Sequence, residues 1–160
     1  MKKLIFAVAV IAFSTAAAQA QSTSKSSMLS LGVNAGIPTT TGYSFAYGVD
    51  LQADFAVAST TKITASAGYE NYSVKSSLGG GNFGAIPLLG GVKFNLGEKA
   101  YAHGQLGYGI FTKGGGGAFA YAPSLGYYFS RNFDASIKYL AMSKSGSNLG
   151  SVNLRLAYNF

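Results

Sequence analysis

The sequence contains no cysteine and no tryptophan, a single histidine and three prolines, and only 11% of its residues are charged. Without cysteine there can be no lipid-modified cysteine anchor, no disulfide and no thiolate metal site. A lone histidine, His103, leaves histidine clusters for metals unavailable. The surplus of Lys and Arg is spread along the chain rather than clustered, which is not the footprint of a nucleic-acid binder. Beyond residue 20 no apolar run approaches the roughly 20 residues that a membrane-spanning helix needs. What is abundant instead is glycine (22 residues) together with tyrosine and phenylalanine (11 of each). Glycine without aromatics would point to disorder. Glycine with aromatics on alternating strands points to tightly bent β structure.

The N-terminus has three parts. Lys2 and Lys3 are basic, Leu4 to Phe13 is unbroken apolar sequence, and Ser14 to Ala20 is small and polar, ending Ala18-Gln19-Ala20. This is the order of a secretory signal peptide with cleavage after Ala20. Losing Lys2 and Lys3 lowers the formal charge from +7 to +5. The remaining length is that of one domain. Residues 21–27 read as a short polar segment, and 28–160 as the folded unit.

That unit has a period of two. In the last segment Val152, Leu154, Leu156, Tyr158 and Phe160 share one face, while Ser151, Asn153, Arg155, Ala157 and Asn159 share the other. Successive strand side chains point to opposite sides, so one face is apolar and one mostly polar. From Tyr43 to Val57 every odd position is apolar, and Asp50 and Asp54 both fall on the even face. The same reading gives strands around Leu29–Ile37, Ile63–Tyr69 (fading near Tyr72), Ile86–Leu96, Ala102–Ile110, Phe119–Phe129 and Phe133–Ala141. Eight strands put both chain ends on one side. Ala58–Lys62, Gly97–Ala100 and Ser130–Asn132 read as short turns. Lys75–Gly84, Thr112–Gly117 and Ser143–Gly150 read as longer Gly-, Ser- and Lys-rich loops, and Pro38–Gly42 breaks the trend. Aromatics near strand ends (Tyr43, Phe55, Phe94, Tyr101, Phe111, Phe119, Phe129, Phe133, Tyr158, Phe160) read as two interfacial girdles.

The expected fold is therefore all-β: an eight-stranded antiparallel up-and-down transmembrane β-barrel. Periodicity does not say which face is inside. The alternative is a soluble periplasmic lipid-binding barrel with its apolar face inward. The polar faces carry Asp, Gln, Lys, Arg, Asn and many Gly, which suits a narrow lumen, and every strand has an apolar face, which favours the membrane form.

The ending Asn153-Leu154-Arg155-Leu156-Ala157-Tyr158-Asn159-Phe160 resembles the C-terminal assembly signal of outer-membrane β-barrel proteins. The stretches Ile86–Phe94 and Ala122–Phe129 resemble strands of the small porin-like barrels of Bacteroidetes. Eight strands make the chain similar to the OmpA transmembrane domain and to OmpX. With no segment after the last strand, it is similar to the stand-alone type. The resemblance covers nearly all of the mature chain and rests on degenerate patterns. It implies a Gram-negative outer-membrane location with both termini periplasmic, and reading of Tyr158 and Phe160 by the barrel-assembly machinery. It also implies a monomer among outer-membrane lipids and lipopolysaccharide.

The chemistry-bearing residues lie on the inward faces: Asp50, Asp54, Lys93, Asp134, Lys138 and Arg155, with Gln52, Gln105, Asn95 and Asn153 near them. Pairing Met142 with Ser151 would set Lys138 opposite Arg155. Opposed cations repel, so a carboxylate is expected between them. Asp50, at similar depth across the first strand, is the candidate for an Asp50–Arg155–Lys138 network. An eight-stranded barrel is only wide enough for its own side chains, and buried charges must be paired. The network thus reads as a plug, with a narrow ion or solute pore as the alternative. Catalysis would need His103 beside an acid or a nucleophile at the outer rim. His103 falls at the periplasmic end and the outer rim offers only Glu70, so no enzyme is expected. Gly79–Gly84 matches G-x-G-x-x-G, but no helix follows it. It is a loop, and no cofactor or metal is expected.

Overall fold

A computed structural model of the chain describes residues 27–114, 116–144 and 147–160. The expected signal peptide, with Ala18 and Ala20, and all of the 21–27 segment except Ser27 lie outside these residues.

Eight strands form one closed antiparallel barrel in sequence order. They are β1 (Ser27–Pro38), β2 (Tyr43–Ala56), β3 (Thr61–Val74), β4 (Asn82–Asn95), β5 (Ala100–Phe111), β6 (Gly117–Tyr128), β7 (Phe133–Lys144) and β8 (Ser147–Asn159). β1 pairs with both β2 and β8, from Ser30↔Asn159 to Pro38↔Ser151, and so closes the wall. The start of β1 and the end of β8 share the near rim with turns 57–60, 96–99 and 129–132. The far rim carries 39–42, 75–81, 112–114 and the facing ends of β7 and β8.

Burial decides the question of faces. Leu106 (61% exposed), Ile137 (63%) and Leu154 (51%) point outward, while Asp54 (1%), Lys93 (2%) and Arg155 (4%) point inward. The apolar face is outside on every strand, which overturns the alternative of a barrel with an apolar interior. Full closure leaves no strand edge unpaired.

Three expectations change. First, Ser143–Gly150 is not a long loop. β7 and β8 pair up to Lys144↔Ser147, so 75–81 is the one long far-rim connection, tightened by a 3-10 turn at Ser76–Leu78. Second, β7 and β8 pair in a register two residues from the expected one. Met142 faces Leu149 rather than Ser151, Lys138 faces Asn153, and Arg155 faces Ser136. A shift of two leaves every side chain on its own face, but it removes the direct opposition of Lys138 and Arg155. Third, not every strand-end aromatic is in a girdle. Tyr101 is 2% exposed and points into the lumen. Phe111 shares its odd parity and turns in beside Phe83. A register irregularity between Tyr43 and Phe45 turns Tyr43 inward as well; an extra residue on one strand re-aims its neighbours.

Candidate functional site

The expected filling of the lumen by polar side chains accounts for only part of it. The lumen contains two stacked fillings. The half toward the near rim is a belt of charges. The half toward the far rim is an apolar plug.

Arg155 on β8 is the hub of the belt. Its Nε donates to both Asp50 oxygens at 3.0 Å, its Nη2 donates to Asp50 Oδ1 at 2.7 Å, and its Nη1 lies 3.8 Å from Asp134 Oδ1. Asp50 also accepts from Asn34 Nδ2 at 2.7 Å and lies 3.5 Å from Lys138 Nζ. The planar guanidinium fork matches a carboxylate on two donors, which a lysine cannot do. Beside this triad Lys93 Nζ donates to Asp54 at 2.6 Å and sits 4.7 Å from the Tyr101 ring centroid. Asp54 accepts a further bond from Gln52 at 2.7 Å. Asp134 accepts from the Tyr101 hydroxyl at 2.6 Å and from Asn159 Nδ2 at 3.0 Å. Asp50, Asp54 and Asp134 thus face Arg155, Lys93 and Lys138. All six residues picked from the sequence converge here, in two ion-paired groups joined through Asp134 and Tyr101. Burying an ion costs several kcal/mol unless pairing and hydrogen bonds offset it, and each of these carboxylates has at least two partners.

The backbone makes room for the belt. Arg155 reaches Asp50 by lying across β1 at Gly32, where a Cβ would stand 2.6 Å from Arg155 Nε. Tyr101 likewise lies across Gly126, where a Cβ would stand 2.1 Å from its ring. These inward glycines belong to the site although they carry no chemistry. The available signal was a glycine on a polar face beside a long side chain. Tyr101, Asn34 and Asn159 were also missed as members of the belt. Each is short-range in sequence pattern but long-range in contact.

His103 lies in the belt half and hydrogen-bonds Thr64 Oγ1 at 2.8 Å. Glu70, expected at the outer rim, is instead 2% exposed, inside the wall on β3 opposite Gly48. Its even position points it inward, and its Oε1 has no hydrogen-bond partner among the described residues. Among those residues no group of three metal-ligating side chains occurs.

Above Glu70 the filling changes character. Tyr72, Leu89, Leu140, Met142 and Leu149 are buried together, with Tyr43, Phe83 and Phe111 packed against them. Tyr72 marks the handover, since its hydroxyl lies 3.3 Å from Ser151 Oγ. Outside the wall, at the near rim, Phe133, Tyr158 and Phe160 form an edge-to-face ladder with centroids 5.0 Å apart at each step.

No protein-family model matches the sequence, and no curated protein sequence matches it. Solved structures do match. Ail, the attachment invasion locus protein of Yersinia pestis, solved in complex with the heparin analogue sucrose octasulfate, superposes with a TM-score of 0.61 at 20% identity, covering 84% of this chain and 97% of that one. A de novo designed transmembrane β-barrel gives 0.57 at 18% identity, covering 83% and 95%. The outer membrane protein OprG of Pseudomonas aeruginosa gives 0.53 at 12% identity, covering 84% and 95%. The chain has the fold of the small outer-membrane barrels. At these identities the likeness is one of fold.

Proposed function

We propose that this chain is an integral, non-enzymatic outer-membrane barrel of a Gram-negative bacterium, monomeric, with a closed lumen and a structural or surface-contact role. The observation that carries the reading is the outward apolar face on all eight strands around a charged interior. Each exposed Leu, Ile or Phe removed from water is worth roughly 1.5–3 kcal/mol, so such a face is stable against hydrocarbon and not against water. The signal-peptide pattern supports export, and the short near-rim turns support a near rim, with both strand ends, on the periplasmic side. The alternating last strand and the Tyr158–Phe160 pair support recognition by the barrel-assembly machinery.

The far rim then faces outward. Its ionisable residues are Lys75, Lys113 and Lys144, all exposed. The five acidic residues of the chain are Asp50, Asp54, Glu70, Glu98 and Asp134, and none of them stands at this rim. Three lysines without a carboxylate complement lipopolysaccharide phosphates. That Ail was solved with a polysulfated sugar fits a polyanion contact of this type. The alternative of a narrow pore is disfavoured by two successive fillings of the lumen.

Fractionation combined with heat-modifiable gel migration tests the location. The protein should sediment with the outer membrane and migrate differently before and after boiling. Recovery in the soluble periplasmic fraction without detergent would refute it. Planar-bilayer recordings of the purified barrel should be silent; steady unitary conductance would favour the pore.

A further inference from the structure

The apolar plug does not end flush with the far rim. Above it opens a cup of about 380 Å³. Met142 and Leu149 form its floor, Tyr43, Phe83 and Phe111 its wall, and Lys144 stands at its mouth. The three rings make a continuous arc, with centroids 6.5 Å apart from Tyr43 to Phe83 and 5.2 Å from Phe83 to Phe111. They are half-buried: one side packs on the plug and the other faces the opening. A concave apolar surface open to water is the usual form of a small-molecule site, and such sites span about 300–1,000 Å³. This one is at the small end, the size of a single short acyl chain or ring system rather than a two-chain lipid.

The mouth is held in shape. Thr40 donates to the Asn148 carbonyl at 2.8 Å and accepts from Gly150 N–H at 3.0 Å, which ties turn 39–42 to β8 on the side of the cup opposite the aromatic arc. Lys144 lies at the opening on β7 beside the start of β6, where a Cβ on Gly116 would stand 2.9 Å from its amine. The aromatic arc alone could also attract an organic cation. An ammonium at the mouth, with no carboxylate among the described rim residues, selects against that and for an anion.

We infer that the far-rim cup binds a single-tailed amphipathic anion, such as a medium-chain fatty carboxylate, with its tail on Met142 and Leu149 and its carboxylate on Lys144. Nothing in this site overlaps the charged belt, and its occupancy does not depend on whether the lumen conducts.

The methionines provide the test. After removal of Met1 with the signal peptide only Met28 and Met142 remain, at the near rim and on the cup floor respectively. Protein labelled with carbon-13 at the methionine methyls, reconstituted in lipid nanodiscs, is titrated with octanoate, octanol and octyltrimethylammonium. The Met142 signal should shift and saturate with octanoate while Met28 stays put. Octanol should act more weakly, and octyltrimethylammonium weakest. Lys144→Gln should weaken octanoate binding by about two- to fivefold, the range of a surface ion pair, and should abolish the preference over octanol. Phe111→Ala, which removes part of the wall, should weaken both octanoate and octanol. A Met142 signal that does not move with octanoate overturns the inference. So does an equal response to the cationic probe, or a Met28 shift that tracks Met142 and so reports a response not confined to the cup.

Discussion

The two halves of the lumen solve one problem in opposite ways. A barrel this narrow must be filled, and near the far rim it is filled by Tyr72, Leu89, Leu140, Met142 and Leu149, which fit by volume. Near the other rim it is filled by Asp50, Asp54, Asp134, Lys93, Lys138 and Arg155, which fit only if each charge meets its partner. The apolar half can relax around a change. The charged half cannot, because removing one member strands another away from water. The belt should therefore be the brittle part of the molecule and the plug the tolerant part.

The largest effect is expected from Arg155→Ala. It leaves Asp50 and Asp134 buried without their shared cation and should cost about 3–5 kcal/mol, read as a lower unfolding midpoint in urea with folded barrel in detergent. Unchanged stability would remove the network from any structural role. Adding Asp50→Asn to that variant should recover part of the loss. Next comes Leu140→Ala in the plug, at about 2–3 kcal/mol, the lower part of the range for such truncations, since neighbours next to an open cup can settle into the gap. A loss larger than that of Arg155→Ala would reverse the comparison. Gly32→Ala should cost about 1–3 kcal/mol, as overpacking does, because the added methyl meets the Arg155 guanidinium. In the Arg155→Ala background the same substitution should be nearly silent, a non-additivity that equilibrium unfolding of the four proteins reads directly. The smallest effect concerns conductance. Met142→Ala with Leu149→Ala empties the cup floor, yet planar-bilayer recordings should stay silent, because the belt still closes the lumen.

Much of the fold was legible because period-two alternation is local: Tyr43–Val57 and Ser151–Phe160 each announce a strand and its faces without help from the rest of the chain. The in-or-out ambiguity was legible only through the company the polar face keeps, Asp and Arg rather than Ser and Thr alone. The register of the last hairpin was not legible. A run rich in Ser, Gly and Lys from Ser143 to Gly150 looks like a loop, and only the pairing of β7 with β8 extends the two strands to Lys144 and Ser147. The six charged residues of the belt could be collected from parity. The Asp50–Arg155–Lys138 contact could be expected from depth and charge; the partners Asn34, Tyr101 and Asn159 could not, nor the gap at Gly32 through which Arg155 reaches Asp50 over β1. The plug was missed for a related reason. Phe111 and Tyr43 look like girdle residues by composition and Phe83 like part of a loop, yet odd positions in β5 and β4 send Phe111 and Phe83 inward and the irregularity in β2 turns Tyr43 in.

The absence of cysteine makes the central claim, an apolar exterior around a paired-charge interior, directly measurable. Single cysteines placed at Val152, Asn153 and Leu154 can each carry a small fluorophore with no background labelling, in protein reconstituted into bilayers containing nitroxide-bearing lipid. Strong quenching at 152 and 154 with little at 153 is predicted. Quenching strongest at 153, or equal at all three, would contradict it.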